Sequence, residues 1–236
     1  MIYERTVPVS SERHLDWSVS VCDNYSFARG TNTAPLLANE FADAANEFLI
    51  VFTGEEDSII TSCVLGIRKG ENTYVSRKNT WLGQYIPAFF RRYPFVFSTN
   101  KIENPEQLTL CIDEEFNGFN NEDRGERLFD SEGQRSFYLK KMLEFCKEFQ
   151  AQYNTSVRFA QHMHNLGILE PARVKFKAAD GKLSALAGFK TINREKLKNL
   201  PGHVLVDMTK TQELDLCYLH LQSLSNLERL IERSSF

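Results

Sequence analysis

The sequence lacks the features that would name a chemistry outright. None of its five cysteines falls in a C-x-x-C pair, which removes zinc knuckles and thioredoxin-type dithiols. Runs such as Cys63-Val64-Leu65 and Leu110-Cys111-Ile112 are apolar, so buried free thiols in a reducing compartment are expected. No apolar stretch approaches the roughly 20 residues that span a bilayer. The first residues, Met1 to Pro8, lack the apolar core of a signal peptide. A cytoplasmic protein without membrane insertion is therefore expected. G-x-S-x-G, P-loop and G-x-G-x-x-G patterns are all missing, which leaves nucleophilic, phosphate-binding and dinucleotide chemistry without a motif. No catalytic residue and no cofactor is nominated. Charge of one sign is lacking too: 28 Lys and Arg oppose 31 Asp and Glu. No global field draws such a chain to nucleic acid, so that partner is not expected.

What is abundant is phenylalanine, 18 residues in a chain of 236, so aromatic packing must carry much of the core. The length is that of one domain, 1–236, read as three parts. Residues 1–35 form a loop-rich N-terminal arm without a sustained period. Residues 36–135 are sheet-rich. A short helix over Asn39–Phe48 leads into Phe48-Leu49-Ile50-Val51-Phe52, a continuous apolar run that suits a strand buried on both faces. Further strands are expected at Ser62–Ile67, Thr73–Ser76, Phe95–Phe97 and Leu108–Ile112, with a helix from Trp81 to Arg92 interrupted at Pro87. Short strands on short links predict an antiparallel sheet. Residues 136–236 are helix-rich. Leu139, Met142, Leu143, Cys146, Phe149 and Tyr153 make one helical stripe. Asn154-Thr155 is suited to cap a second helix ending at Gly167. A hairpin turns at Ala179–Lys182, Asn193 caps a short helix, and Thr211–Arg233 carries a last apolar stripe. The fold class is α+β, with a mostly antiparallel sheet in the front half and a helix-rich C-terminal half.

The net charge of −3 hides a reversal. From Arg68 to Lys101 seven basic residues face one acid, and from Ile102 to Arg135 ten acids face three arginines. The basic part also holds Tyr74, Trp81, Tyr85, Phe89, Phe90, Tyr93, Phe95 and Phe97. Cations beside aromatic faces can hold an anionic or planar ligand. The competing reading is that the two segments neutralise each other while the rings fill the core.

Metal patterns are weak. Asp113 to Gly118 resembles the opening of a calcium loop, but Arg124 stands where the bidentate glutamate belongs. An exposed acidic turn is the expectation there. His14-Leu15-Asp16 matches H-x-D, the first two ligands of a non-haem iron triad. His162 and His164 diverge if their segment is helical, and read as ordinary boundary histidines.

The string Trp81-Leu82-Gly83-Gln84-Tyr85-Ile86-Pro87-Ala88-Phe89-Phe90-Arg91-Arg92-Tyr93-Pro94-Phe95 resembles the bacterial SapC-like family. Leu65-Gly66, Gly70-Glu71-Asn72, Cys111–Glu114, Gly125–Asp130 with Gly133, and Leu221–Leu224 with Asn226-Leu227 extend the likeness from about residue 40 onward. The resemblance implies no established activity and carries over no catalytic residues. The family label derives from a protein associated with a bacterial surface layer.

Physically, Arg91 and Arg92 diverge by about 100° on a helix. One can pair internally, with Asp113 or Glu114 as acid, while the other faces outward. The leading expectation is a non-catalytic binding or interaction protein. Its ligand would be anionic or aromatic, or its partner a protein, met by Trp81, Tyr85, Arg91, Arg92 and Tyr93. A homo-oligomer is compatible with the sequence. The alternatives are an enzyme of unassigned reaction, iron-dependent through His14 and Asp16, and a surface-layer component.

Overall fold

The structure, a computed structural model, describes residues 2–20, 23–100, 104–177 and 183–234. The apolar run at 48–52 forms the strand Leu49–Thr53, whose first four residues are all buried. It lies in the middle of a five-stranded sheet ordered Leu169–Lys177, Leu183–Ile192, Leu49–Thr53, Ile60–Val64, Thr33–Pro35, antiparallel at every pairing. A three-stranded sheet orders Thr6–Pro8, Asn104–Asp113 and Phe95–Asn100. A smaller one orders Phe119–Asn120, Ser18–Val19 and Glu126–Arg127. The class is α+β. The arm over 1–35 does not simply lie across the core, because it supplies one strand to each of the three sheets. Its short strands pair with segments distant in sequence, so no local period marks them.

One helix, Phe137–Asn165, runs 29 residues, about 43 Å at 1.5 Å per residue. Asn154 and Thr155 do not cap a second helix within it. The Thr155 hydroxyl donates back to the Ala151 carbonyl at 3.2 Å, and the Asn154 amide oxygen accepts from Gln150 at 3.1 Å. Satisfied in this way, both residues tolerate a helix interior. Gly167 does end the helix, with φ +68°, where a Cβ would be strained. The helix spans two apolar cores. Leu139 and Cys146 pack with Phe95, Ile112 and Leu128, while Phe159, Ala160 and Met163 join the core of the five-stranded sheet. Leu37, Ala88 and Phe149 form a third cluster.

The hairpin of Leu169–Lys177 and Leu183–Ile192 is present, and its expected turn at 179–182 lies outside the described residues. Asn193 caps the helix Arg194–Lys198 through the Lys196 amide. The C-terminal stripe is divided between the helices Glu213–Ser223 and Asn226–Arg233. At the break two side chains turn to the sheet. The Ser223 hydroxyl accepts the Ile50 amide at 3.1 Å, and Asn226 donates to the Ala45 and Phe48 carbonyls at 2.7 and 3.0 Å.

Two expectations in the aromatic segment change. Residues 73–76 are no strand, and make only one bridge, Val75 to Trp81. Of 81–92 only Ala88–Arg91 is helical. Pro87 sits at its N-cap with ψ 140°, so the helix starts after the proline instead of running through it.

Candidate binding site

Three carboxylates hold the string 81–95 in place, Glu40 and Glu47 by accepting its backbone N–H groups and Asp113 by accepting the Tyr93 hydroxyl. Glu47 Oε2 takes the amides of Gln84 and Tyr85 at 2.9 and 3.0 Å. A Cβ on Gly83 would come 2.7 Å from Glu47 Oε1 and from the Trp81 indole nitrogen, so the loop needs glycine there. Glu40 is 3% exposed. Its Oε2 accepts the Leu37 amide at 3.0 Å, and its Oε1 accepts the Ala88 amide at 2.7 Å and the Tyr85 hydroxyl at 2.6 Å. Asp113 is fully buried. It accepts the amides of Glu4 and Arg5 at 2.9 and 2.8 Å and the Tyr93 hydroxyl at 3.1 Å. A buried carboxylate needs several donors of this kind to offset its lost hydration.

Asp113 and Glu114 are therefore no exposed acidic turn. The Glu114 side chain is 4% exposed and takes the guanidinium groups of Arg5 and Arg13. Hydrogen bonding from Arg13, reinforced by His14 and Arg5, outweighs desolvation and holds its carboxyl down at about 2. Arg91 and Arg92 pair with neither acid. Nor do the basic and acidic segments neutralise each other: among the described residues no ion pair joins 68–101 to 102–135.

The five candidate residues do not form one continuous surface. Trp81 is half-buried, stacks 5.8 Å from Tyr74 and lies 5.5 Å from Phe90, with its indole N–H on the Tyr85 carbonyl at 2.8 Å. Tyr93 stacks on Phe27 with ring centres 3.9 Å apart and meets the edge of Phe116 at 5.4 Å. Arg91 and Arg92 diverge as the helix demands. The Arg91 side chain is 45% exposed, 3.6 Å from Glu40, and donates to the Tyr85 hydroxyl at 3.2 Å. Arg92 is enclosed by rings, 4.2 Å from the centre of Phe149 and 5.0 Å from that of Phe89, and its buried Nε has no hydrogen-bond partner among the described residues. It acts as a packed cation.

Phe90, Arg91, Tyr93 and Pro94 of this string border an open space. A cleft of about 250 Å³ is lined by six aromatic residues (Tyr25, Phe27, Phe90, Tyr93, Phe116 and Tyr138), and among the described residues Arg91 is the one charged residue in its lining. A second cavity of about 250 Å³ shares Asn24, Phe27, Tyr93 and Phe116 with it and adds Glu4 and Glu115. Apolar walls with a single charged group are the usual composition of a small-molecule site. The Tyr93 hydroxyl is pushed up by burial and by the Asp113 carboxylate, so it stays protonated as a donor.

His14 and Asp16 are not brought together. The His14 ring is buried with Nε2 3.1 Å from Glu114 and Nδ1 3.1 Å from the Ser10 carbonyl. The Asp16 side chain is 79% exposed, 3.7 Å from Arg127. His162 pairs with Glu213 at 2.8 Å. Among the described residues no three His, Cys, Asp or Glu converge on a point that could hold a metal.

Sequence reasoning missed Glu40 and Glu47. They stand seven apart in a segment expected to be helical, a spacing that puts both on one face. In the structure Glu40 ends a 3-10 turn and Glu47 follows the one-turn helix Phe41–Ala44, yet both carboxylates meet the aromatic string.

Fold and site together define an α+β protein in which buried carboxylates fix an aromatic–basic string beside an arginine-edged cleft. The chain belongs to the SapC family, which it matches over residues 9–230. No curated protein and no solved structure matches it. Among the described residues no helix is long and apolar enough to cross a membrane.

Proposed function

We propose that this SapC protein is a binding protein whose ligand joins a flat apolar body to an anionic group, seated in the cleft between Tyr93 and Arg91. The observation that carries this reading is the lining of that cleft, six aromatic residues with Arg91 as the one charged residue beside them. Aromatic walls favour a planar body by stacking and area burial. A lone arginine in such surroundings favours a carboxylate, because a charge-assisted bond gains strength where water is scarce. Of the five residues expected to bind, Arg91 and Tyr93 carry the contact here. Tyr85 positions Arg91 by accepting its guanidinium, and Trp81 and Arg92 serve as packing.

Calorimetry with indole-3-carboxylate and its neutral amide tests this. The carboxylate should bind, and Arg91→Ala should weaken it about tenfold to a hundredfold, the worth of one charge-assisted hydrogen bond. The thermal midpoint of the variant should stay near that of the wild type, because Arg91 is half-exposed. Equal affinity for acid and amide, or no binding of either, refutes the reading.

A further inference from the structure

A third cavity, of about 270 Å³, also has Arg91 in its lining. Its walls include the rings of Tyr85, Phe145 and Phe149 and three acids, Glu40, Asp43 and Glu148. Among the described residues Arg91 is the only basic one lining it, against three acids, so that lining carries two more negative side chains than positive ones. The ring faces and the carboxylates act in the same direction. A ring face attracts a cation, most strongly where water is thinned, and the buried Glu40 supplies a full negative charge at the inner end.

The chain itself shows how such a cation sits. The Arg91 guanidinium lies 5.7 Å from the centre of Tyr85 and 5.6 Å from that of Phe145, with Glu40 at 3.6 Å. It enters from the protein side and is 45% exposed. The Glu40 contact is longer than a formed hydrogen bond, and Arg91 also lines the aromatic cleft. Arg91 is thus an internal occupant held by one hydrogen bond, to the Tyr85 hydroxyl at 3.2 Å, and by ring contacts, and it borders two cavities. Glu40 does not need it for satisfaction, since two backbone amides and the Tyr85 hydroxyl already bind its oxygens.

We infer that this cavity is a binding site for a small organic cation, a guanidinium or primary alkylammonium, which takes the ring-faced position now held by Arg91. The exposed acids Asp43 and Glu148 form its mouth, attracting the cation and making its binding salt-dependent. The site is separate from the aromatic cleft but shares one residue with it. A cation entering here displaces Arg91 toward the cleft.

The test is titration with n-propylguanidinium, which is the arginine side chain cut free of its backbone, followed by calorimetry or by fluorine NMR of 4-fluorophenylalanine placed at Phe145. Wild-type protein should bind it saturably and more weakly as salt is raised. Arg91→Ala should bind it about tenfold more tightly, because the internal competitor is gone. Asp43→Asn with Glu148→Gln should weaken binding about fivefold while the circular dichroism spectrum is unchanged. No saturable binding to the wild type overturns the inference. So does equal affinity for wild type and Arg91→Ala, or indifference to the two rim substitutions. Because Arg91→Ala weakens the aromatic carboxylate and strengthens the guanidinium, the two site readings stand or fall separately.

Discussion

The Tyr93 hydroxyl donates to Asp113 Oδ2 over 3.1 Å, and the same carboxylate accepts the amides of Glu4 and Arg5. One buried side chain thereby ties the aromatic string to the N-terminal arm and to the end of the strand Asn104–Asp113. Asp113→Ala leaves the Glu4, Arg5 and Glu115 amides and the Tyr93 hydroxyl without this acceptor. The expected loss is about 3 kcal/mol, from unsatisfied groups at roughly 1–3 kcal/mol each with partial rescue by water. Urea denaturation should measure it, and amide exchange should rise first at Glu4 and Arg5. Unchanged protection at those two residues would show that the arm is held by something else.

Glu40 and Glu47 make similar contacts but differ in burial. The Glu40 side chain is 3% exposed and that of Glu47 is 14% exposed. Glu40→Ala should cost about 3–5 kcal/mol, as expected when a buried charged acceptor is removed from its donors. Glu47→Ala should cost about 1–2 kcal/mol, since water can reach the freed amides of Gln84 and Tyr85. The order matters more than the values. A Glu47 variant as unstable as the Glu40 variant would contradict the difference in burial.

His220 gives a pH dependence of definite sign. Its ring is fully buried, Nε2 accepts the Ile192 amide at 3.0 Å, and Nδ1 makes no well-formed hydrogen bond. Burial lowers its pKa to about 4, with the Ile50 backbone opposing only in part. The unfolded chain takes up this proton near pH 6.5 and the folded chain does so only near 4. Stability therefore falls as pH drops across that window, by roughly 3 kcal/mol in total. His220→Leu should be less stable at pH 7, where it leaves the Ile192 amide unpaired, but should lose this part of the pH slope. Glu114 adds an effect lower down: its stabilisation is present above its ordinary pKa and is lost as pH falls toward about 2.

Ser223 and Asn226 stitch the C-terminal helices to the turn and strand at 45–50. Asn226→Ala removes two donors from buried carbonyls and should cost about 2–3 kcal/mol, with Ser223→Ala nearer 1–2 kcal/mol. Thermal melts of the two single variants and the double variant should show non-additivity, because both side chains secure the same helix break.

Four thiols are shielded. Cys63, Cys111, Cys146 and Cys217 are free and buried, and burial raises the pKa of each. Thiol reagents need the thiolate. Native protein should therefore leave Cys63, Cys146 and Cys217 unlabelled over the time in which denatured protein reacts fully. Peptide mapping reads this directly.

The sequence by itself determined the elements whose cause is local. Phe48 to Phe52 is apolar at every position and became a fully buried central strand. Asn193 and Gly167 carry their cap chemistry in their own side chain and backbone. The strand at Leu108–Ile112 and the stripe from Leu139 to Tyr153 followed from period alone. The likeness of residues 81–95 also marked the segment that meets all three apolar clusters, through Ala88, Phe90 and Phe95.

Only the tertiary structure decided which charges pair and which are enclosed. Asp113 looks like the first residue of a polar turn, yet donors from residues 4, 5 and 93 make its burial tolerable. Arg91 and Arg92 are adjacent and alike in sequence, yet one faces Glu40 and an opening while the other is closed in by Phe149 and Phe89. The charge reversal between residues 68–101 and 102–135 is a sum over segments that no ion pair joins among the described residues. Local rules read one neighbourhood of the chain, whereas the ionisation and exposure of a side chain depend on donors that folding brings from a hundred residues away.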